Sequence, residues 1–170
     1  MRPVSGRVEV LTFKQGLLSK VAHDLLLQVE RFEVLTDGTR VEARFELGSL
    51  GVEGVMRDGV FDPHGLSEGD RRDIVGNIQN KILHTKEHPT ARLVARAERT
   101  GSGFRLKGDL SLAGQTRDIE IDVRAEAGRW RGQVELVPTR WGIEPFKALL
   151  GAIKLQDRVV VRFDLEAFEP

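Results

Sequence analysis

Residues 39–47 read TRVEARFEL, in which Val41, Ala43, Phe45 and Leu47 alternate with Arg40, Glu42, Arg44 and Glu46. An extended chain places the first set on one face and the second on the other, whereas a helix of period 3.6 would scatter both sets around its axis. The segment is a half-buried strand with one dry face. The same two-residue period recurs in FRLKGDLSL (104–112), DIEIDVRAE (118–126) and RVVVRFDLEA (158–167). One apolar face per strand is the mark of an antiparallel sheet.

Between these runs lie TDGT (36–39), TGSGF (100–104), AGQT (113–116) and EAGRW (126–130), each with a glycine able to take the positive φ of a tight connection. Eight strands are expected, at about 7–13, 23–35, 39–47, 91–99, 104–112, 118–126, 130–137 and 158–167. Eight antiparallel strands can close into a barrel whose interior is filled by side chains or holds one small ligand. A two-sheet sandwich has the same alternation.

Two stretches depart from the pattern. SEGDRRDIVGNIQNKIL (67–83) opens with Ser67 three residues before Asp70, a capping-box spacing, and carries Ile74, Val75, Ile78, Ile82 and Leu83 at helical spacing. It predicts an amphipathic helix laid on the sheet. EPFKALLGA (144–152), with Pro145 in a first-turn position, predicts a second, short helix ending near Gly151.

Composition narrows the function. Lys plus Arg (26) equals Asp plus Glu (26), so no net positive field draws the chain to nucleic acid. The absence of cysteine removes disulfides, thiolate nucleophiles and Cys-ligated metals. No run approaches the roughly 18 apolar residues of a spanning helix. The N-terminus MRPVSGRVEVLTFKQG has no apolar signal region, which leads to an expectation of a soluble cytoplasmic protein, or a periplasmic one if a signal has been removed. The whole chain, 1–170, reads as one domain.

HTKEH (84–88) matches the H-x-x-E-H zinc-protease signature. That chemistry needs both histidines on one face of a continuing helix, but Pro89 pushes His88 out of the α region. The expectation is no metal at this motif and no cofactor elsewhere. His64, in FDPHG, reads as turn chemistry. His23 precedes Leu25, Leu26 and Leu27, a strand apolar on both faces and so covered on both sides or facing a partner. It reads either as a hydrogen-bonded structural histidine or as a polar group at the mouth of an apolar cavity, with Asp24 orienting its ring or capping the turn. No nucleophile elbow or phosphate loop is present.

Four segments in order, SKVAHDLLLQVERFEV (19–34), GDRRDIVGNIQNKILHTKEHPTARL (69–93), LKGDLSLAGQTRDIEIDV (106–123) and WGIEPFKALLGAIKLQDRVVVRFDL (141–165), resemble the YceI-like family of lipid-binding domains. The similarity runs from about residue 6 to residue 167. Most members begin with an export signal, and this chain is similar to a branch carrying a GHDL-like stretch where AHDL stands here. The resemblance implies a lipocalin-like barrel around an apolar tunnel that holds a polyisoprenoid or similar chain lipid, without catalysis. On that reading Phe45, Leu47, Leu106, Leu110, Ile121, Val123, Trp130, Val134 and Val161 line the tunnel, and Trp141 contacts the ligand. Phe146, Leu149 and Leu150 form its rim, while His23 or Arg140 meets a polar head. The same interior residues also suit a packed core, with a surface-acting interaction domain or a symmetric homodimer as the result. A small hydrolase or isomerase using His23 and Asp24 is the third reading.

Overall fold

The computed structural model describes residues 1–15, 23–148 and 153–166. Alternation becomes strand wherever the sequence shows it. The strands are β1 (Arg2–Val4), β2 (Gly6–Lys14), β3 (Asp24–Val29), β4 (Phe32–Thr36), β5 (Arg40–Glu46), β6 (Leu50–Arg57), β7 (Val60–Asp62), β8 (Thr90–Arg99), β9 (Gly103–Leu112), β10 (Gln115–Glu126), β11 (Arg129–Leu136), β12 (Lys147–Ala148) and β13 (Ile153–Glu166). One helix, α1 (Glu68–Asn77), runs on into a π-helical turn, Ile78–Ile82. Every strand pair is antiparallel.

The expected closure of eight strands is corrected. The hydrogen-bonded path runs β1, β4, β5, β8, β9, β10, β11, β13, β2, β3, β6, β7, an open sheet ending at β1 and β7, with β12 attached to β13. The physical cause is a break at Glu30 and Arg31 in what reads as one strand. β3 pairs with β2 and β6, whereas β4 pairs with β1 and β5. Buried Ser49 satisfies the two amides released there, its carbonyl accepting from Glu30 N at 3.3 Å and its hydroxyl from Arg31 N at 2.9 Å. The sheet still curls, because residues of strands as far apart in the path as β1, β9 and β13 share one apolar cluster.

The second expected helix is also corrected over its described part, 144–148, its remainder lying outside the described residues. Lys147 and Ala148 pair with Lys154 and Ile153 as strand, and Leu155 N donates to the Phe146 carbonyl at 3.1 Å. A segment this short gains too little from helical bonds to repay nucleation, and the extended start of β13 offers it a ready ladder.

Helix α1 begins as its sequence specifies. Ser67 Oγ accepts from Asp70 N and the Asp70 carboxylate from Ser67 N, both at 3.1 Å. Its attachment is less legible. The Arg71 guanidinium donates to the carbonyls of Val52 (2.6 Å), Glu53 (2.9 Å) and Pro63 (2.6 Å), tying the first turn to β6.

Two-residue turns join β6 to β7, β9 to β10 and β10 to β11. Both central residues have positive φ in each: Asp58 and Gly59, Ala113 and Gly114, Ala127 and Gly128. These are type I′ hairpins, whose twist matches that of the strands. The β4–β5 turn uses a carboxylate instead. Asp37 accepts from Thr39 N (2.9 Å), Arg40 N (2.7 Å) and Thr39 Oγ1 (2.8 Å), which lowers its pKa from 3.8 to about 2, the Thr39 amide contributing most. A depressed carboxylate stabilises the fold fully above the unfolded value and loses that contribution as pH falls through the folded one. The stability of Asp37→Asn is therefore expected to vary less with pH than wild type between 3.8 and about 2. Urea midpoints across that window measure it, and parallel curves would contradict it.

Candidate ligand-binding interior

The ladder register sets out the inner wall. Across β11, β13, β2, β3 and β6, one inward row reads Leu136, Val159, Thr12, Leu25, Val55, and the next reads Val134, Val161, Val10, Leu27, Val52. A third begins Gly132, Phe163, Val8. Opposite, β5, β8, β9 and β10 contribute Ala43, Leu93, Ala95, Leu106, Leu110, Ile119, Ile121 and Val123, all between 3 and 8% exposed.

The two walls differ in burial. Val10, Val134, Val159, Val161 and Phe163 face the apolar cluster yet are only half-buried. Val161 lies between Val134 and Val10 in the ladder, so strands cover it on both sides. Access to such a mid-strand, inward side chain comes from the interior and not from a sheet edge. The strip it belongs to is apolar and accessible.

The structure brings most of the sequence-derived candidates together. Leu47, Leu106, Leu110, Ile121, Val123 and Trp141 are buried in the cluster, with Phe45, Trp130, Val134 and Val161 packed against it. Phe45 stacks on Phe32 at 6.2 Å, and Trp130 meets Phe104 edge-on at 5.4 Å. Trp141, 1% exposed, donates from Nε1 to the Leu110 carbonyl at 2.9 Å. Phe146 is half-buried beside β12, and Leu149 and Leu150 lie outside the described residues.

The polar candidates are more dispersed. His23 is half-buried before β3 and contributes, after the Ser67 amide and hydroxyl, to holding the Asp70 carboxyl below its usual value. It therefore lies in the field of the α1 N-terminus. Asp24 accepts from Lys14 N at 2.7 Å, which makes it a cap on the β2–β3 connection. The Arg140 guanidinium sits over the Trp141 ring at 5.1 Å and reaches Asp118 Oδ1 at 3.4 Å. His64 N donates to Asp62 Oδ1 at 2.9 Å, a turn contact.

Two clefts flank the 84–90 segment. One, of about 330 Å³, lies between Lys81, Ile82, Leu83, His84 and His88 on one side and Ala113, Gly142, Ile143 and Glu144 on the other. The second, of about 260 Å³, is lined by Arg31, Arg44 and Lys86 with Glu46, Thr85 and Thr90. None of the twelve sequence-derived candidates among the described residues lines either cleft. His84 has φ +49° and stands past the helical turns, so the two histidines share no helical face. Among the described residues no group of three His, Asp or Glu is placed to hold a metal ion.

A family model described as the YceI-like domain matches residues 32–167. The chain belongs to the YceI-like family. Solved structures agree on the fold. BcnA of Burkholderia cenocepacia is 14% identical, with TM-score 0.64 over 95% of this chain and 96% of that one. A polyisoprenoid binding domain from Saccharophagus degradans, implicated in plant cell wall breakdown, is 12% identical, with TM-score 0.58 over 98% of each chain. The Campylobacter jejuni YceI protein is 11% identical, with TM-score 0.61 over 85% of this chain and 84% of that one. A search of curated protein sequences finds no significant match. The YceI-like match begins at Phe32, so β1 to β3, which complete the accessible wall, enter through the structural likeness. No helix among the described residues of this YceI-like domain is long and apolar enough to cross a membrane.

One feature of the interior escapes sequence reasoning. Thr12, 8% exposed, points inward between Leu25 and Val159, and its hydroxyl has no hydrogen-bond partner among the described residues. An unpaired buried hydroxyl costs about 1–3 kcal/mol. The other two buried hydroxyls among the described residues are satisfied, Thr36 by the Arg40 carbonyl at 2.9 Å and Ser49 by the Glu46 carbonyl at 2.7 Å. A threonine alternating with valines in VEVLTF (8–13) gives no sign in the sequence that its hydroxyl is left alone.

Proposed function

We propose that this chain is a non-catalytic binding module for an extended apolar ligand, a polyisoprenoid or similar chain lipid, held in the interior of the curled sheet. The observation that carries the reading is the half-buried strip of Val134, Val161 and Val10 on an inward, mid-strand row. Valines with room beside them and no polar company favour hydrocarbon over water. Each buried methylene contributes about 0.8 kcal/mol, so a chain of about fifteen carbons yields on the order of 10 kcal/mol before ordering costs. Burial of that size needs no charged anchor and no catalytic group. The Saccharophagus degradans relative, described as a polyisoprenoid binding domain, supports the ligand class.

Native mass spectrometry of the purified protein, followed by solvent extraction, tests this. The expected result is an adduct that extraction releases as a chain lipid. Repeated lipid-free preparations that also reject added prenyl chains would overturn the proposal.

A further inference from the structure

Resting on that reading, we infer that Thr12 is the polar contact of the binding interior and selects a chain ligand bearing an uncharged oxygen, an alcohol or a carbonyl. The row Leu136, Val159, Thr12, Leu25, Val55 is apolar at every position but one. The hydroxyl at that position is buried and unpartnered among the described residues, although strand backbones and neighbouring side chains surround it. Valine has nearly the same shape and would remove the desolvation penalty, so threonine here weakens the empty protein. The cost is recovered when a bound molecule brings a partner.

The position also says which end of the ligand that partner occupies. Thr12 lies two residues from the end of β2 at Lys14. The accessible strip of Val10, Val161 and Val134 continues on the side away from that end. A chain crossing that strip towards the Lys14 end of β2 would bring its leading oxygen to Thr12, the next inward residue after Val10. The neutral oxygen follows from the hydroxyl itself. Both inward rows are uncharged, Lys14 being the next inward residue of β2 beyond them, and a hydroxyl both donates and accepts and so suits an alcohol or a carbonyl alike.

The test uses the full chain and two probes, a linear prenyl alcohol and the hydrocarbon in which a methyl replaces its hydroxyl. Wild type is expected to bind the alcohol roughly five- to tenfold more tightly, the effect of one neutral hydrogen bond. Thr12→Val should lose that preference, keep its affinity for the hydrocarbon and, empty, melt higher by about 2–4 °C. Thr12→Ser, which retains the hydroxyl, should keep the preference. Equal wild-type affinity for the two probes, or a preference that survives in Thr12→Val, overturns the role of Thr12 while leaving the carrier reading intact. Rejection of both probes by wild type overturns the carrier reading and this inference with it.

Discussion

Trp141→Ala is expected to lower the stability of the fold by about 3–5 kcal/mol, the range for removing a large aromatic from a packed core. For a domain of this size that is a fall of roughly 6–20 °C in melting temperature. The ring is 1% exposed, and it stands at the end of the 3₁₀ turn Pro138–Trp141 that carries the chain from β11 back across β9. Its Nε1 bond to the Leu110 carbonyl, 2.9 Å long, gives the indole a partner where it would otherwise be desolvated without one. Truncation therefore leaves a cavity and removes a buried hydrogen bond together. Trp141→Phe, which keeps most of the volume and loses the N–H, should fall between the two. Calorimetric melting curves decide the matter, and a loss below about 1 kcal/mol for the alanine variant would show that the turn is not anchored there.

The contrast between Trp141 and Val161 shows what the sequence could and could not specify. Val161 was expected to line the interior and Trp141 to contact a ligand; Trp141 is buried in the apolar cluster and Val161 packs against it. Period-2 alternation tells which way a side chain points, because that is a local property of an extended backbone. How much space lies in front of the side chain depends on the facing wall, and no local pattern carries it. The same division explains the strands. β5, β9, β10 and β13 alternate cleanly and were legible, whereas β6 was not, although its Val55 is 1% exposed. A register shift opposite Leu26 and Leu27 gives β6 an extra residue, so its inward Val52 and Val55 are three apart in place of two. The signal that could have found it was Asp58–Gly59, a strong type I′ turn pair standing between two short apolar runs.

Open ends and split strands were illegible for a related reason. The alternation changes phase at Glu30 and Arg31, from Leu27 and Val29 to Phe32 and Val34, but the group that stabilises the break, Ser49, is distant in sequence. The outer face shows the converse. Leu26 is turned away from the core, and its burial to 4% is consistent with the coverage that a strand apolar on both faces demands. Opposite it lies Gly54, where a Cβ would stand 2.8 Å from the Phe61 ring, so the β6–β7 hairpin folds back over that face. There the sequence specified that a cover exists and was silent on what supplies it.

Val161→Trp is the variant that separates an accessible interior from a filled one. The indole enters between Val134 and Val10, on the strip whose residues are half-buried though strands enclose them. If that access is room for a ligand, the larger side chain occupies the room itself. Prenyl-chain uptake should then fall at least about tenfold, or 1.4 kcal/mol, with the melting temperature shifted by no more than a few degrees. In a solid core the same insertion forces neighbours from their rotamers at about 1–3 kcal/mol and finds no ligand to exclude. Val94→Trp is the control, since Val94 lies on the outward face of β8 between Glu42 and Asp109 and bulk added there should leave uptake unchanged. Stability and uptake are thus driven in opposite senses by the two interiors: a destabilised variant with unaltered uptake describes packing, and a stable variant that no longer takes up the chain describes a channel whose width the valines set.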